Sequence, residues 1–179
     1  DPLPAPGKPG GFVILTSGTT GLPKGAPRAK VSPFATAQVI DRIPFPRKGT
    51  MVIVSPIFHS TGLATYLVGA ALGNKIVTAR RFNPERTLAL IAEHRADMLV
   101  AVPTMLHRIV ELPPETIARY DTSSLKAIVI AGSALTPELS TRAQDTFGDV
   151  LYNLYGSTEC AVATVATPQE LRRAPGTAG

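Results

Sequence analysis

Ala127-Ile128-Val129-Ile130-Ala131-Gly132-Ser133-Ala134-Leu135-Thr136-Pro137-Glu138 is the stretch on which the architecture turns. Residues 127–130 form a continuous apolar run with no polar position, which suits a strand covered on both faces. A turn follows at Gly132 and Ser133. Thr136 can cap a helix that Pro137 opens, and Glu138 favours its first turn. Leu139, Ala143 and Phe147 then recur at a spacing of four, and Gly148 supplies a stop. A buried strand followed at once by an amphipathic helix is the building unit of a parallel sheet, because parallel neighbours must be joined by crossovers.

The same alternation runs through the rest of the chain. Phe12-Val13-Ile14-Leu15, Met51-Val52-Ile53-Val54, Lys75-Ile76-Val77 and Met98-Leu99-Val100-Ala101-Val102 read as buried strands, and Val150 to Tyr155 as a weaker one. Between them, Asn83 can cap a helix opened by Pro84 and Glu85, with Leu88, Ile91 and Ala92 on one face. Softer helical segments cover Pro33 to Ile43 and Leu63 to Leu72, the latter ending at Gly73. Pro113-Pro114 breaks a helix without marking a domain boundary. The expected fold is α/β, a mostly parallel, doubly wound sheet with helices on both faces. Ligands of such sheets bind at the carboxyl ends of the strands, so the loops there are where chemistry is expected.

Composition narrows the function classes. With 179 residues, 44% of them hydrophobic, the chain can bury a real core, as one domain or one lobe of a larger one. The net charge of +5 raises the question of nucleic acid. The basic residues are scattered, however, clustering only as the pairs Arg47-Lys48, Arg80-Arg81 and Arg172-Arg173, and no aromatic residues interleave them; no nucleic-acid partner is expected. Cys160 is the only cysteine, which fits a reducing, cytoplasmic location. No apolar run reaches the roughly 18 residues of a membrane span, and Asp1 to Gly10 lacks the pattern of a signal peptide. The sequence opens and closes abruptly, so both ends are expected to be cuts in a longer protein. Apolar surface at such edges would favour self-association.

The strongest chemical signal follows the first strand: Thr16-Ser17-Gly18-Thr19-Thr20-Gly21-Leu22-Pro23-Lys24-Gly25. Glycines let a backbone approach a ligand and present its N–H groups. The hydroxyls add donors and Lys24 a mobile charge, together a cradle for phosphate oxygens. Neither G-x-x-x-x-G-K-[ST] nor G-x-G-x-x-G is present. A second constellation is Asn153-Leu154-Tyr155-Gly156-Ser157-Thr158-Glu159: an aromatic face that could stack on a base and a carboxylate that could hold Mg²⁺. A third, Ser55-Pro56-Ile57-Phe58-His59-Ser60-Thr61-Gly62, puts a histidine on a loop after the second apolar run. His94 and His107 match no motif and read as structural.

Thr-Ser-Gly-Thr-Thr-Gly-x-Pro-Lys-Gly resembles the phosphate-binding signature of the adenylate-forming (AMP-binding) superfamily, and residues 155–159 resemble its Tyr-Gly-x-Thr-Glu hallmark. Pro56 to Gly62 is similar to the family's Pro-x-Phe-His-x-x-Gly segment, and Asn83 to Leu112 to its connecting elements. The resemblance covers nearly the whole chain and is nearest to a fatty acyl-CoA synthetase. It implies that the chain, residues 1–179, is a partial ATP/AMP-binding domain without the upstream acyl-pocket region and the C-terminal lid. The family's Thr-Gly-Asp segment, later Arg and lid lysine are not found here.

The implied reaction is ATP-dependent conversion of a fatty acid to acyl-adenylate and then, with coenzyme A, to acyl-CoA. The chain alone is expected not to turn over. The alternatives are a non-catalytic nucleotide-binding module, and a relative using an aryl acid or another thiol acceptor. On this resemblance Thr16, Ser17, Gly18, Thr19, Thr20, Gly21 and Lys24 hold phosphates, and Thr16 with Glu159 holds Mg²⁺. Asn153, Tyr155, Gly156, Ser157, Thr158, Gly132 and Ser133 line the nucleotide, with Thr158 at the α-phosphate. His59 shapes the carboxylate site, arguing for a plain acid over an amino acid. Lys24, His59, Thr158 and Glu159 carry the chemistry.

Overall fold

The structure, a computed structural model, describes residues 12–17, 23–28, 39–157 and 161–179. Two strands, β1 (Phe12–Ser17) and β2 (Pro23–Arg28), form an antiparallel hairpin. After them come α1 (residues 39–42), β3 (Thr50–Ile53), α2 (Ser60–Ala71), β4 (Lys75–Thr78), α3 (Pro84–His94) and β5 (Met98–Ala101). The chain continues through α4 (Pro103–Val110), α5 (Pro114–Ile117), β6 (Ala127–Ile130), α6 (Pro137–Phe147), β7 (Leu151–Ser157), β8 (Ala161–Ala166) and α7 (Pro168–Arg173).

A six-stranded sheet of order β4-β3-β5-β6-β7-β8 forms the centre. Its first five strands run parallel and β8 pairs antiparallel to β7. The fold is α/β, with a mostly parallel sheet and helices on both faces. On one face α3, α4, α6 and α7 press Leu88, Ile91, Leu106, Ile109, Leu139 and Leu171 onto Val52, Leu99, Ile128 and Leu151. The other face, Met51, Ile53, Met98, Val100 and Val129, packs with Ile43 next to α1. There α2 lies so close that a Cβ on Gly69 would sit 2.7 Å from Met51 Sδ and 2.9 Å from Ile76 Cδ1.

The helix starts follow the capping chemistry in the sequence. Asn83 Oδ1 accepts from Arg86 N at 2.8 Å, and Thr136 Oγ1 from Leu139 N at 3.3 Å. Helix α7 was not anticipated; it opens with a capping box between Thr167 and Glu170. The Glu170 carboxylate also takes Arg42 Nη2 at 2.8 Å, tying α1 to α7, and the hydrogen bonds from Thr167 hold its pKa below the usual carboxylate range.

Two strand expectations need correction. The run Phe12 to Leu15 does not lead through a helix into the parallel sheet. The short stretch between Ser17 and Pro23 cannot supply the dozen or more residues of a crossover, so the chain returns antiparallel as β2. And β8, an alternation of small and β-branched residues, went unread after the Tyr155 motif. The helix expected from Leu63 starts earlier, at Ser60. Of the segment Pro33 to Ile43, residues 33–38 lie outside the described residues and 39–42 are helical.

The amino ends of the strands are locked by Asp97. Its Oδ2 accepts from Thr50 N at 2.9 Å and its Oδ1 from Lys126 Nζ at 2.8 Å, joining β3, β5 and β6. Burial pushes this carboxyl up, but the Lys126 ammonium and the Thr50 N–H together outweigh it, and the pKa is lowered. A carboxyl with a lowered folded pKa contributes stability above its unfolded pKa and loses it as pH falls through the folded value. Asp97→Asn should therefore cost on the order of 1 kcal/mol at pH 7. Its stability gap to wild type in urea melts should close below about pH 4. A gap unchanged at low pH would remove the ionised carboxylate from the account.

Candidate active site

The strand order puts the topological switch point at β3, whose two neighbours β4 and β5 are reached over opposite faces of the sheet. As β3 leaves the sheet, Val54 N and Ser55 N both donate to Val100 O, at 3.0 and 3.3 Å, holding its exit against β5. The chain then turns through Pro56 to His59. His59 N donates to Pro56 O at 3.1 Å and His59 O accepts from Leu63 N at 2.9 Å, making His59 the N-cap of α2. Its side chain makes no cap hydrogen bond. The imidazole is exposed, 4.6 Å from the Phe58 ring centroid, and Phe58 itself is 79% exposed.

Such a short exit from strand to helix depends on Gly62. A Cβ there would overlap the Pro56 carbonyl oxygen and lie 2.7 Å from the Pro56 carbonyl carbon. The glycine that ends the Pro-x-Phe-His-x-x-Gly segment is thus required by packing, while the histidine faces solvent.

The neighbouring exits line up beside this loop. β5 passes at Val102 directly into α4. β6 leaves through Gly132, whose φ of +100° favours glycine, and a Cβ there would stand 3.5 Å from Val102 Cγ1. Gly132 and Ser133 are exposed. On β7, Tyr155 is 63% exposed, and the pairing with β8 slips between Tyr155 and Gly156, a bulge of the sort that re-aims side chains. His59, Gly132, Ser133, Tyr155 and Gly156 therefore occupy one edge of the sheet. With neighbouring strands about 4.8 Å apart, the row from β3 to β7 spans roughly 15 Å.

Asn153 does not join that row. It is buried, and its Nδ2 donates to Thr177 O at 2.8 Å. Thr16 and Ser17 end β1 and Lys24 lies in β2, with Thr16 directly opposite Lys24 in the register. Gly18, Thr19, Thr20 and Gly21 lie outside the described residues, as do Thr158 and Glu159. Ser157 pairs with Ala161. Among the described residues no group of three His, Cys, Asp or Glu side chains could hold a metal, and no helix is long and apolar enough to cross a membrane.

Ser55 opens the segment that carries His59, with no role of its own expected from the sequence. Its Oγ is buried just beyond β3 and has no hydrogen-bond partner among the described residues. The signal was a polar residue closing an otherwise apolar run.

The structure thus places an exposed histidine, a glycine turn of positive φ and an exposed tyrosine at the carboxyl edge of the sheet. The chain belongs to the AMP-binding enzyme family, which it matches over residues 5–179. It is 32% identical over 171 residues to the indoleacetate–CoA ligase of Aromatoleum aromaticum, covering 94% of this chain and 33% of that enzyme. It is 28% identical to the 2-succinylbenzoate–CoA ligase of Staphylococcus aureus, over 93% of this chain and 33% of that enzyme. The inhibitor-bound N-terminal domain of FACL13 from Mycobacterium tuberculosis superposes with a TM-score of 0.82 at 25% identity, covering 98% of this chain and 45% of that one. The chain thus spans about a third of the length of the curated relatives it matches.

Gly62→Ala should destabilise the protein by about 1–3 kcal/mol through overpacking of α2 against Pro56, read as a lowered thermal midpoint. Ala64→Ser, exposed on the same helix, should stay within about 0.5 kcal/mol of wild type. Equal stability of Gly62→Ala and wild type would show that the α2 start can move away without cost.

Proposed function

We propose that this chain is the nucleotide-binding core of an acid–CoA ligase that activates a carboxylic acid with ATP. The observation that carries the reading is the gathering of His59, Gly132, Ser133 and Tyr155 at one edge of a parallel sheet in a member of this family. In the first step a carboxylate oxygen attacks the α-phosphorus of ATP and pyrophosphate leaves. In the second the thiol sulfur of coenzyme A attacks the acyl carbon and AMP leaves.

Such chemistry depends on positioning and on stabilising charge. Lys24, the hydroxyls of Thr16, Ser17, Thr19 and Thr20 and the N–H groups at Gly18 and Gly21 hold the β- and γ-phosphates. Tyr155 covers the adenine, beside Gly132, Ser133, Gly156 and Ser157. Thr158 binds the α-phosphate, and His59 stands at the substrate carboxylate. A threonine hydroxyl and a carboxylate are the hard oxygen donors that Mg²⁺ takes, so Thr16 and Glu159 fit as its protein ligands. When bound, the ion neutralises charge on the phosphate oxygens.

A fatty acid was the first expectation for the substrate. The acids in the names of the relatives, indoleacetate and 2-succinylbenzoate, each carry an aromatic ring. They support an aryl-bearing acid ahead of a fatty acid, and exposed Phe58 offers a flat apolar face for either. A cytoplasmic site of action rests on the single cysteine alone, and completion of the acyl pocket and lid by further chain on the relatives' length.

ATP–pyrophosphate exchange, run on this chain and on a longer form of the protein with aryl and fatty acids, tests the reading. Acid-dependent exchange in the longer form supports it and ranks the acids; ATP binding without exchange would favour a non-catalytic nucleotide module. Lys24→Ala should weaken ATP binding about tenfold or more, the scale of a lost charged hydrogen bond; unchanged affinity would remove Lys24 from the phosphate site. Glu159→Gln should flatten the Mg²⁺ dependence of exchange. A Mg²⁺ response like that of wild type would place the metal ligand elsewhere.

A further inference from the structure

The segment after α7, Ala174 to Gly179, runs as a strap across the sheet beside Tyr155. Side chains fix it at two successive carbonyls. Asn153 Nδ2 donates to Thr177 O at 2.8 Å, and Thr164 Oγ1 donates to Ala178 O at 2.6 Å. Both side chains flank Tyr155 on β7–β8: Asn153 precedes it by two residues on the same strand face, and Thr164 is its direct cross-strand partner.

The strap also reaches the turn after β6. A Cβ on Gly176 would lie 2.9 Å from Leu135 O and 3.1 Å from Pro137 N, so the two backbones are in close contact. Farther along, a Cβ on Gly179 would stand 3.2 Å from Thr164 Cβ. One short segment thus joins the Gly132–Pro137 turn to the strand that carries Tyr155.

We propose that Asn153 and Thr164 are positioning residues for the nucleotide. They act through the strap, which fixes the distance between the Tyr155 ring and the Gly132–Ser133 turn. This assigns Asn153 a role beyond the direct contact expected from its sequence motif, since one of its amide N–H groups is committed to Thr177 O inside the protein. The inference rests on the nucleotide-site reading given above.

Thr164 provides the cleaner probe. It is exposed, and Thr164→Val removes the hydroxyl while keeping the side-chain shape. In the longer form of the protein, exchange kinetics should show KM for ATP raised about threefold to tenfold, the span expected from one lost hydrogen bond. Within the same assay kcat and KM for the acid should stay within about twofold. Thr164→Ser should restore the ATP KM, and Asn153→Ala should shift it in the same direction as Thr164→Val. Amide hydrogen exchange over residues 174–179 of the chain, measured without nucleotide, should quicken in Thr164→Val and not in Thr164→Ser.

Unchanged exchange of the strap amides in Thr164→Val would overturn the latch. A loosened strap with an unchanged ATP KM would overturn the coupling to the nucleotide while leaving the nucleotide site itself standing. Wild-type protein that binds no ATP by calorimetry would overturn the functional reading and the coupling together. Failure of Asn153→Ala to fold leaves the decision with Thr164→Val.

Discussion

Parallel strands must all be entered from the same side, and the placing of His59, Gly132, Ser133 and Tyr155 follows from that constraint. Because β3, β5, β6 and β7 are adjacent and parallel, their exits fall at one edge whatever sequence occupies them. Residues separated by nearly a hundred positions, His59 and Tyr155, become the two ends of one row without any direct bond between them. The sheet pays for this arrangement in its core, where both faces of β5 and β6 are wholly buried. Once the core exists, little further energy is needed to bring the exits together. That is the preorganisation that a reaction governed by charge and placement requires.

At the opposite edge Asp97 serves the complementary purpose. A carboxylate that accepts from Thr50 N and Lys126 Nζ fixes the relative height of three strands at their amino ends. The common accepting carbonyl of Val100 does so for β3 and β5 at the carboxyl end. Register errors of one residue would turn Val52 and Met51 to the wrong faces. These polar fixtures sit where the apolar strands, each only four residues long in β3, β5 and β6, have least to specify their alignment.

Most of the fold was legible because its signals are local. Asn83-Pro84-Glu85 and Thr136-Pro137-Glu138 announce helices through capping, and runs such as Met98 to Ala101 announce buried strands through unbroken apolarity. The failures were non-local or weakly marked. Phe12 to Leu15 looks like any buried strand, and only the shortness of the return to Pro23 reveals a hairpin. β8, Ala-Val-Ala-Thr-Val-Ala, has little apolar bulk and owes its place to pairing with β7. The α7 capping box at Thr167 and Glu170 was a local signal that was passed over. As for the site, His59, Gly132, Ser133, Tyr155 and Gly156 were found at the expected edge because motif and topology agree. Under the proposed function, the identity of the acid is not written in these residues, since the walls that discriminate acids are shape features rather than motifs.

Asn153 shows why a motif residue need not do what its neighbours do. Within β7, side chains alternate, so Asn153 and Tyr155 share a face and a motif. They differ in what covers them. Tyr155 stands near the end of the strand, beside a bulge, and remains exposed; Asn153, two residues deeper, is beneath the returning strap and is 4% exposed. A buried amide that leaves its N–H unpaired costs about 1–3 kcal/mol. Its partner must therefore come from inside the protein, and Thr177 O provides it. Sequence spacing can say that two residues point the same way; only the path of the chain after α7 decides which of them meets solvent.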